Sequence, residues 1–357
     1  MNIIKYILAL AFGLFSILFS ALTQASVATD PVGFTTLTIN GSPDGSTTAF
    51  TAISVNLENP VVLKGKFTET PTSNTATDSY ASNDVNAYSV TDSVGNGSYY
   101  FQITSGSNEG LIFDILSNTS SQYSLSADLS GLVSAGDSYS IKKHTTLGDV
   151  FGEDNSAGFK SGGDVGASDR IYIMSTDGSG IYATYYYQTD SLGFLGGDGW
   201  RLSGDLFTDV SDVVIGPDDG LFVGRTAIGD LSIIVSGSVN TTDHQRFLPT
   251  GYSLVSYPFP VDVTLDELGL YSNINGYVSG GDVASSDRVY VISAEGIFTV
   301  YYRQTDALGF LGGDGWRLSG DIFTPYDDEV IPAGSSLVIY HIGTGIDWRD
   351  PVPYTLN

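Results

Sequence analysis

GIYATYYYQTDSLGFLGGDGWRLSGD, residues 180–205, returns as GIFTVYYRQTDALGFLGGDGWRLSGD at 296–321, with its last fourteen letters identical in both places. A run of that length does not recur by chance, so the chain reads as a duplication whose copies can be compared position by position. In each copy an aromatic, β-branched run leads into a glycine-rich turn and a short return, Gly-Trp-Arg-Leu. That is a hairpin pattern: side chains that suit a pleated surface flank glycines that accept positive φ.

The likeness extends beyond the hairpin. Thr146-Leu147 matches Thr264-Leu265, SGGDV at 161–165 matches 279–283, and Ser168-Asp169-Arg170 matches Ser286-Asp287-Arg288. Upstream, FTAIS at 50–54 resembles YSLVS at 252–256. The second copy runs from Ser256 straight to Thr264, whereas the first is interrupted between Phe67 and His144. The expected domains are a first repeat over 31–67 plus 145–228, an inserted β module at 68–144 and a second repeat over 229–350. Residues 68–96 are polar, and 99–144 read as four or five short strands of a small barrel.

Elsewhere, short runs rich in Val, Ile, Tyr, Phe and Thr alternate with turn clusters of Gly, Asn, Asp and Ser. The expected fold is therefore all-β: two duplicated β-sandwich or barrel-like domains with a small β module inserted in the first. A helical turn is expected only at 146–151 and its partner 264–268.

Residues 1–25 read as a secretory signal. Lys5 is their only charge, an apolar run covers 6–22, and Thr23-Gln24-Ala25 offers small residues for cleavage after Ala25. An uncleaved anchor is the alternative, since such a run approaches bilayer-spanning length. No second run of that length follows, so no transmembrane segment is expected after signal removal. The expected location is extracellular or at the cell surface, with the periplasm as a further compartment.

The chain carries 40 acidic residues against 14 basic ones, a net charge of −26. That balance excludes nucleic acid and anionic lipid as electrostatically recruited partners. With no cysteine there is no disulfide framework and no thiolate chemistry.

Four segments carry a family resemblance: ATDPVGF at 28–34, KKHTTLGDVFG at 142–152, the paired YYY/YYR…GWRLSG hairpins, and IPAGSSLVI at 331–339. In these the chain resembles uncharacterised exported proteins found as many paralogues in Verrucomicrobia-type bacteria. The resemblance implies export and a repeated β-rich body, and brings no activity, cofactor or catalytic residue.

Candidate site residues gather on the hairpins. Alternation puts Tyr182, Thr184 and Tyr186 on one face and Ala183, Tyr185 and Tyr187 on the other. Arg303 stands where the first copy has Tyr187, which suggests that this second face reaches solvent. Tyr185, Tyr187, Trp200, Tyr301 and Trp316 would then form platforms on which a sugar ring stacks. The competing and preferred reading is that these rings only stabilise the hairpins. Asp190, Asp198, Asp205 and their partners Asp306, Asp314 and Asp321 crowd the turns. Turn capping is the preferred role, and Ca²⁺ binding the alternative. No cofactor is otherwise expected.

The three histidines, His144, His244 and His341, lie far apart and lack local metal-ligand spacing. His341 aligns with Arg225, which suggests an exposed strand end. Asp169-Arg170 and Asp287-Arg288 read as structural charge pairs. No nucleophile elbow is present. The function expected is a non-enzymatic envelope, surface or extracellular-matrix protein, with envelope or matrix components, polysaccharide included, as partners. A carbohydrate-binding accessory protein is the alternative, and a secreted polysaccharide hydrolase using paired carboxylates a weaker one.

Overall fold

Among the described residues three larger antiparallel sheets, two of five strands and one of six, stand beside four two-stranded ribbons. The computed structural model describes residues 30–271, 275–293 and 296–354, so the signal expected at 1–25 lies outside them. Strand takes up 41% and helix 2%, which establishes the all-β class.

In the first five-stranded sheet the order is Gly199–Leu202, Tyr182–Gln188, Arg170–Met174, Gly220–Arg225, Ala49–Ser54. The second runs Gly315–Leu318, Phe298–Gln304, Arg288–Ile292, Ser336–His341, Gly251–Ser256. The two match strand for strand, and their hairpin registers agree: Tyr187 faces Trp200 as Arg303 faces Trp316. One face of each sheet is closed by a two-stranded ribbon. Val32–Ile39 pairs with Leu231–Ser238 and turns Leu37, Ile39, Ile233 and Val235 onto the first core. His244–Leu248 pairs with Ile346–Asp350 and sends Leu248, Ile346 and Trp348 into the second. Burial alternates along Leu231–Ser238, as a strand with one wet face requires.

Six strands make the third sheet, in the order Val61–Lys66, Ser138–Lys143, Tyr99–Ile103, Ile112–Asn118, Gln122–Leu125, Thr75–Thr77. Its core stacks Phe101 on Tyr139 at 4.2 Å, with Phe67 and Tyr123 around them. Pairing sets two boundaries differently from the sequence expectation. Residues 61–66 hydrogen-bond inside this sheet, not in the first repeat, and residues 231–238 close the first core, not the second. Both strands pair with segments far away in the chain, so local pattern could not assign them.

The helical turns form where capping chemistry is strongest. Thr146 caps Leu147–Phe151 in a reciprocal capping box with Asp149. At the second position Thr264 and Glu267 exchange the same two bonds, at 3.0 and 3.2 Å.

The five-stranded sheets touch through reciprocal contacts. Ser54 N donates to Gly334 O at 2.7 Å, and its counterpart Ser256 N donates to Asp218 O at 3.0 Å. Gly220 allows the approach: a Cβ there would meet Ser336 Cβ at 2.7 Å and Leu254 Cγ at 2.9 Å. Among the described residues no helix is long and apolar enough to cross a membrane.

Candidate functional site

The hairpin rings face the opposite way from the sequence expectation. Tyr185, Trp200, Tyr301 and Trp316 are buried in the two cores, and Tyr187 packs half-buried against the first. The exposed rings are instead Tyr182 and Phe298, on the face expected to point inward. Tyr186 and Tyr302 are buried as well, opposite Arg201 and Arg317 on the return strands. Arg303 misled because it fills a core margin: its guanidinium lies 3.8 Å from the Tyr271 ring centre, where Tyr187 instead meets Trp200 edge-on. The five residues therefore form no open platform, although Tyr185 also lines the cleft described below.

The identical letters mostly serve the loop itself. Gln188 Nε2 donates to Gly197 O and Leu206 O, each at 3.0 Å. Arg201, also buried, donates to the carbonyls of Gly196, Gly197 and Leu206 at 3.1–3.2 Å. Gln304 and Arg317 repeat these bonds.

The turn carboxylates are also engaged. Asp190 accepts the N–H of Phe194, Leu195 and Gly197 at 2.8–3.0 Å, and Asp198 accepts that of Asp190 at 2.6 Å. Asp205 accepts from Phe207 and Thr208. Asp306, Asp314 and Asp321 do the same in the second hairpin. Desolvation opposes ionisation at Asp190, but the backbone N–H groups outweigh it and hold the carboxyl below its ordinary range. Among the described residues no three His, Asp or Glu side chains gather as a metal site.

Two expectations about charge are corrected. His341 is buried, not an exposed strand end: its Nδ1 lies 2.8 Å from Asp287, itself fully buried. Arg225 occupies the matching place in the first sheet, 2.8 Å from Asp169. Each aspartate thus pairs across the sheet rather than with the arginine next to it, and Arg170 and Arg288 donate to the carbonyls of Val165 and Val283.

What the sequence did not reveal is a cleft of about 780 Å³ where the three sheets meet. The inserted sheet contributes Asp114 and His144, the turn after Val214–Ile215 contributes Asp218 and Asp219, and the second ribbon contributes Arg246 and Phe247. The 216–219 turn is closed by Asp219 N donating to Gly216 O at 3.0 Å and by Gly216 N donating to the Asp219 carboxylate at 2.7 Å. His144 Nε2 lies 3.0 Å from Asp114, and His244 Nε2 hydrogen-bonds Asp218. Neither Nδ1 has a partner among the described residues, so in the neutral imidazole the proton sits on Nε2 and is donated to the carboxylate. Arg246 reaches Asp350 at 2.7 Å and Asp218 at 3.5 Å, with its guanidinium 4.2 Å from the Trp348 ring centre. Tyr182 and Phe247 stand exposed on the walls.

Adjacent carboxyls here are driven apart. At Asp218 the desolvation penalty is overcome by His244 and Arg246, which hold the group below its usual range. Asp219 is pushed up to about 6, first by desolvation and then by the charge of Asp218. A raised acid makes the folded state hold a proton that the unfolded chain releases near pH 3.8, so stability falls as pH rises from about 4 to about 6. Asp219→Asn should therefore become more favourable relative to wild type across that window. Urea unfolding at pH 4 and pH 7.5 measures this, and a difference that does not change with pH would contradict it.

The chain matches no known family model, no curated protein and no solved structure in the comparisons made.

Proposed function

We propose that this chain is an exported, non-enzymatic surface or matrix protein that holds polysaccharide in the cleft between its sheets. The observation that carries the reading is the composition of the cleft wall. The exposed rings of Tyr182 and Phe247 share one concavity with the carboxylates of Asp114, Asp218 and Asp219. A pyranose presents C–H groups that pack on rings and hydroxyls that donate to carboxylates, so this mixture suits it. Export is supported by the signal-like residues 1–25 and by the resemblance to exported β-rich proteins. The acidic, cysteine-free composition fits a body held together by cores rather than disulfides.

The test is calorimetric titration of wild type, Phe247→Ala and Asp114→Asn against neutral and anionic polysaccharides. Each substitution is expected to weaken binding about tenfold, the effect of one lost stacking or charge-assisted contact. Absence of binding across a broad glycan array would refute the reading.

A hydrolase is the second reading, favoured by the divergent carboxyls of Asp218 and Asp219, since split acidities mark acid and base pairs. Release of reducing ends that Asp219→Asn abolishes would replace binding with catalysis.

A further inference from the structure

A sheet edge presents backbone N–H and C=O groups, so an edge left open is a ready surface for another strand. Most edges in this chain are met from within. Ser54 N, at the end of Ala49–Ser54, donates to Gly334 O at 2.7 Å. Along Gly251–Ser256, Tyr252 N and Ser256 N donate to Gly178 O and Asp218 O, each at 3.0 Å. The return strands have four residues, and Trp200 O and Trp316 O accept from Val210 N and Tyr326 N at 3.1 and 3.0 Å. In the six-stranded sheet, Val61–Lys66 carries Lys64, Lys66 and a bulge, and Thr75–Thr77 has only three residues. Gln245 N of the second ribbon donates to Gly110 O, and Asp347 N to Asn275 O. Leu231–Ser238 exchanges two bonds with Glu58 through its last residue.

Val32–Ile39 differs. It pairs with Leu231–Ser238 alone, over all eight residues and without a bulge. In such a ladder every second residue turns its N–H and C=O away from the partner strand. Among the described residues no other segment bonds those groups. The strand, VGFTTLTI, has no charge and no proline, in a chain of net charge −26. Val32 and Phe34 are 78% and 76% exposed on its wet face, and Ile234, opposite Thr36, is 71% exposed. Gly33 and Thr35 point inward yet stay half-exposed, so the body does not close over this edge. Charge, proline, bulge, shortness and cover are the devices that keep natural edges apart, and this edge has none of them.

We infer that Val32–Ile39 pairs with the same strand of a second copy, antiparallel about a two-fold axis, and joins the two ribbons into one four-stranded sheet. Three features select that occupant. A strand pairs with itself antiparallel whenever residues of like parity stand opposite, which keeps the wet faces of both copies on one side. Two copies at net charge −26 repel, so they meet most favourably where neither carries charge, and this strand is such a place. Val32, Phe34 and Ile234 of the two copies then form one apolar strip across the joined sheet, and cross-strand contacts cover hydrocarbon that a single ribbon leaves wet. A two-fold contact closes on itself, so the product is a dimer and not a fibre.

The test is sedimentation of the purified chain over a range of concentrations, beside Phe34→Lys and Thr36→Lys. Wild type is expected to pass from monomer to dimer as concentration rises. Each lysine sets like charges near the axis and should weaken the dimer about a hundredfold. Melting at a dilution where all are monomeric should not change, because both side chains are exposed. The absence of cysteine provides a second measurement. Val32→Cys, Phe34→Cys, Thr36→Cys and Thr38→Cys, oxidised singly and in mixed pairs, should form a covalent dimer in one register, since a disulfide needs Cα atoms about 4.4–6.8 Å apart. A wild type that stays monomeric shows that the edge takes another chain or none, and overturns the inference. So do lysine variants that dimerise like wild type, or crosslinking that is equal at every position. Glycan titration of the lysine variants should match wild type, because Val32–Ile39 contributes no residue to the cleft wall.

Discussion

Trp200→Ala and Trp316→Ala should each cost about 3–5 kcal/mol, the usual range for removing a large aromatic from a packed core. Both rings are fully buried, Trp200 against Phe151, Phe159 and Tyr187, and Trp316 against Tyr271 and Tyr277. The Phe variants separate packing from hydrogen bonding. Trp200 Nε1 donates to Gly152 O at 2.7 Å, whereas Trp316 Nε1 has no partner among the described residues. Trp200→Phe therefore loses a bond and strands a carbonyl, while Trp316→Phe removes a buried donor that bonds none of the described residues. The first should cost more by about 1–2 kcal/mol, the difference between breaking a buried hydrogen bond and deleting an orphan. Denaturant unfolding of the four variants measures this. Equal costs for the two Phe variants would mean that Nε1 of Trp200 contributes nothing, and losses below about 1 kcal/mol in the Ala variants would contradict burial of the rings.

The sequence shows the strands well because their signal is local. The hairpins at 182–202 and 298–318 and the short turns at 146–151 and 264–268 follow from residue type and spacing alone. Which face is buried was misread from one substitution, since a long cationic side chain can replace a ring wherever another ring lies beside it, as Tyr271 lies beside Arg303. The ribbons were hidden because Val32 and Ser238 are paired only by the folded topology. The cleft was hidden for a related reason. Asp218-Asp219 in GPDDG reads as an ordinary turn, and only the fold brings His144, His244 and Arg246 to it. Histidines that look solitary in the sequence, His144, His244 and His341, each bind an aspartate from a distant segment.

Arg225→Met is expected to destabilise the first repeat by about 3–5 kcal/mol, the cost of stranding a buried charge by removing its partner. Asp169 is fully enclosed, and its carboxylate accepts the N–H of Lys160 at 2.8 Å and of Thr226 at 2.7 Å besides the Arg225 guanidinium. It thereby ties the segment before Arg170–Met174 to the end of Gly220–Arg225. The second sheet shows what else fits that place. There His341 sits on Asp287, which also accepts the N–H of Val278 at 2.7 Å and of Ile342 at 2.8 Å. The carboxylate and its two backbone donors are the shared part, and the cationic or imidazole partner is the variable one. Arg225→His should consequently cost less than Arg225→Met. The double variant Asp169→Asn with Arg225→Met should cost less than the sum of its single changes, because the amide leaves no charge to strand. A double-mutant cycle in urea decides it. If the two single costs simply add, the guanidinium and carboxylate do not interact, and Asp169 is held by its backbone donors alone.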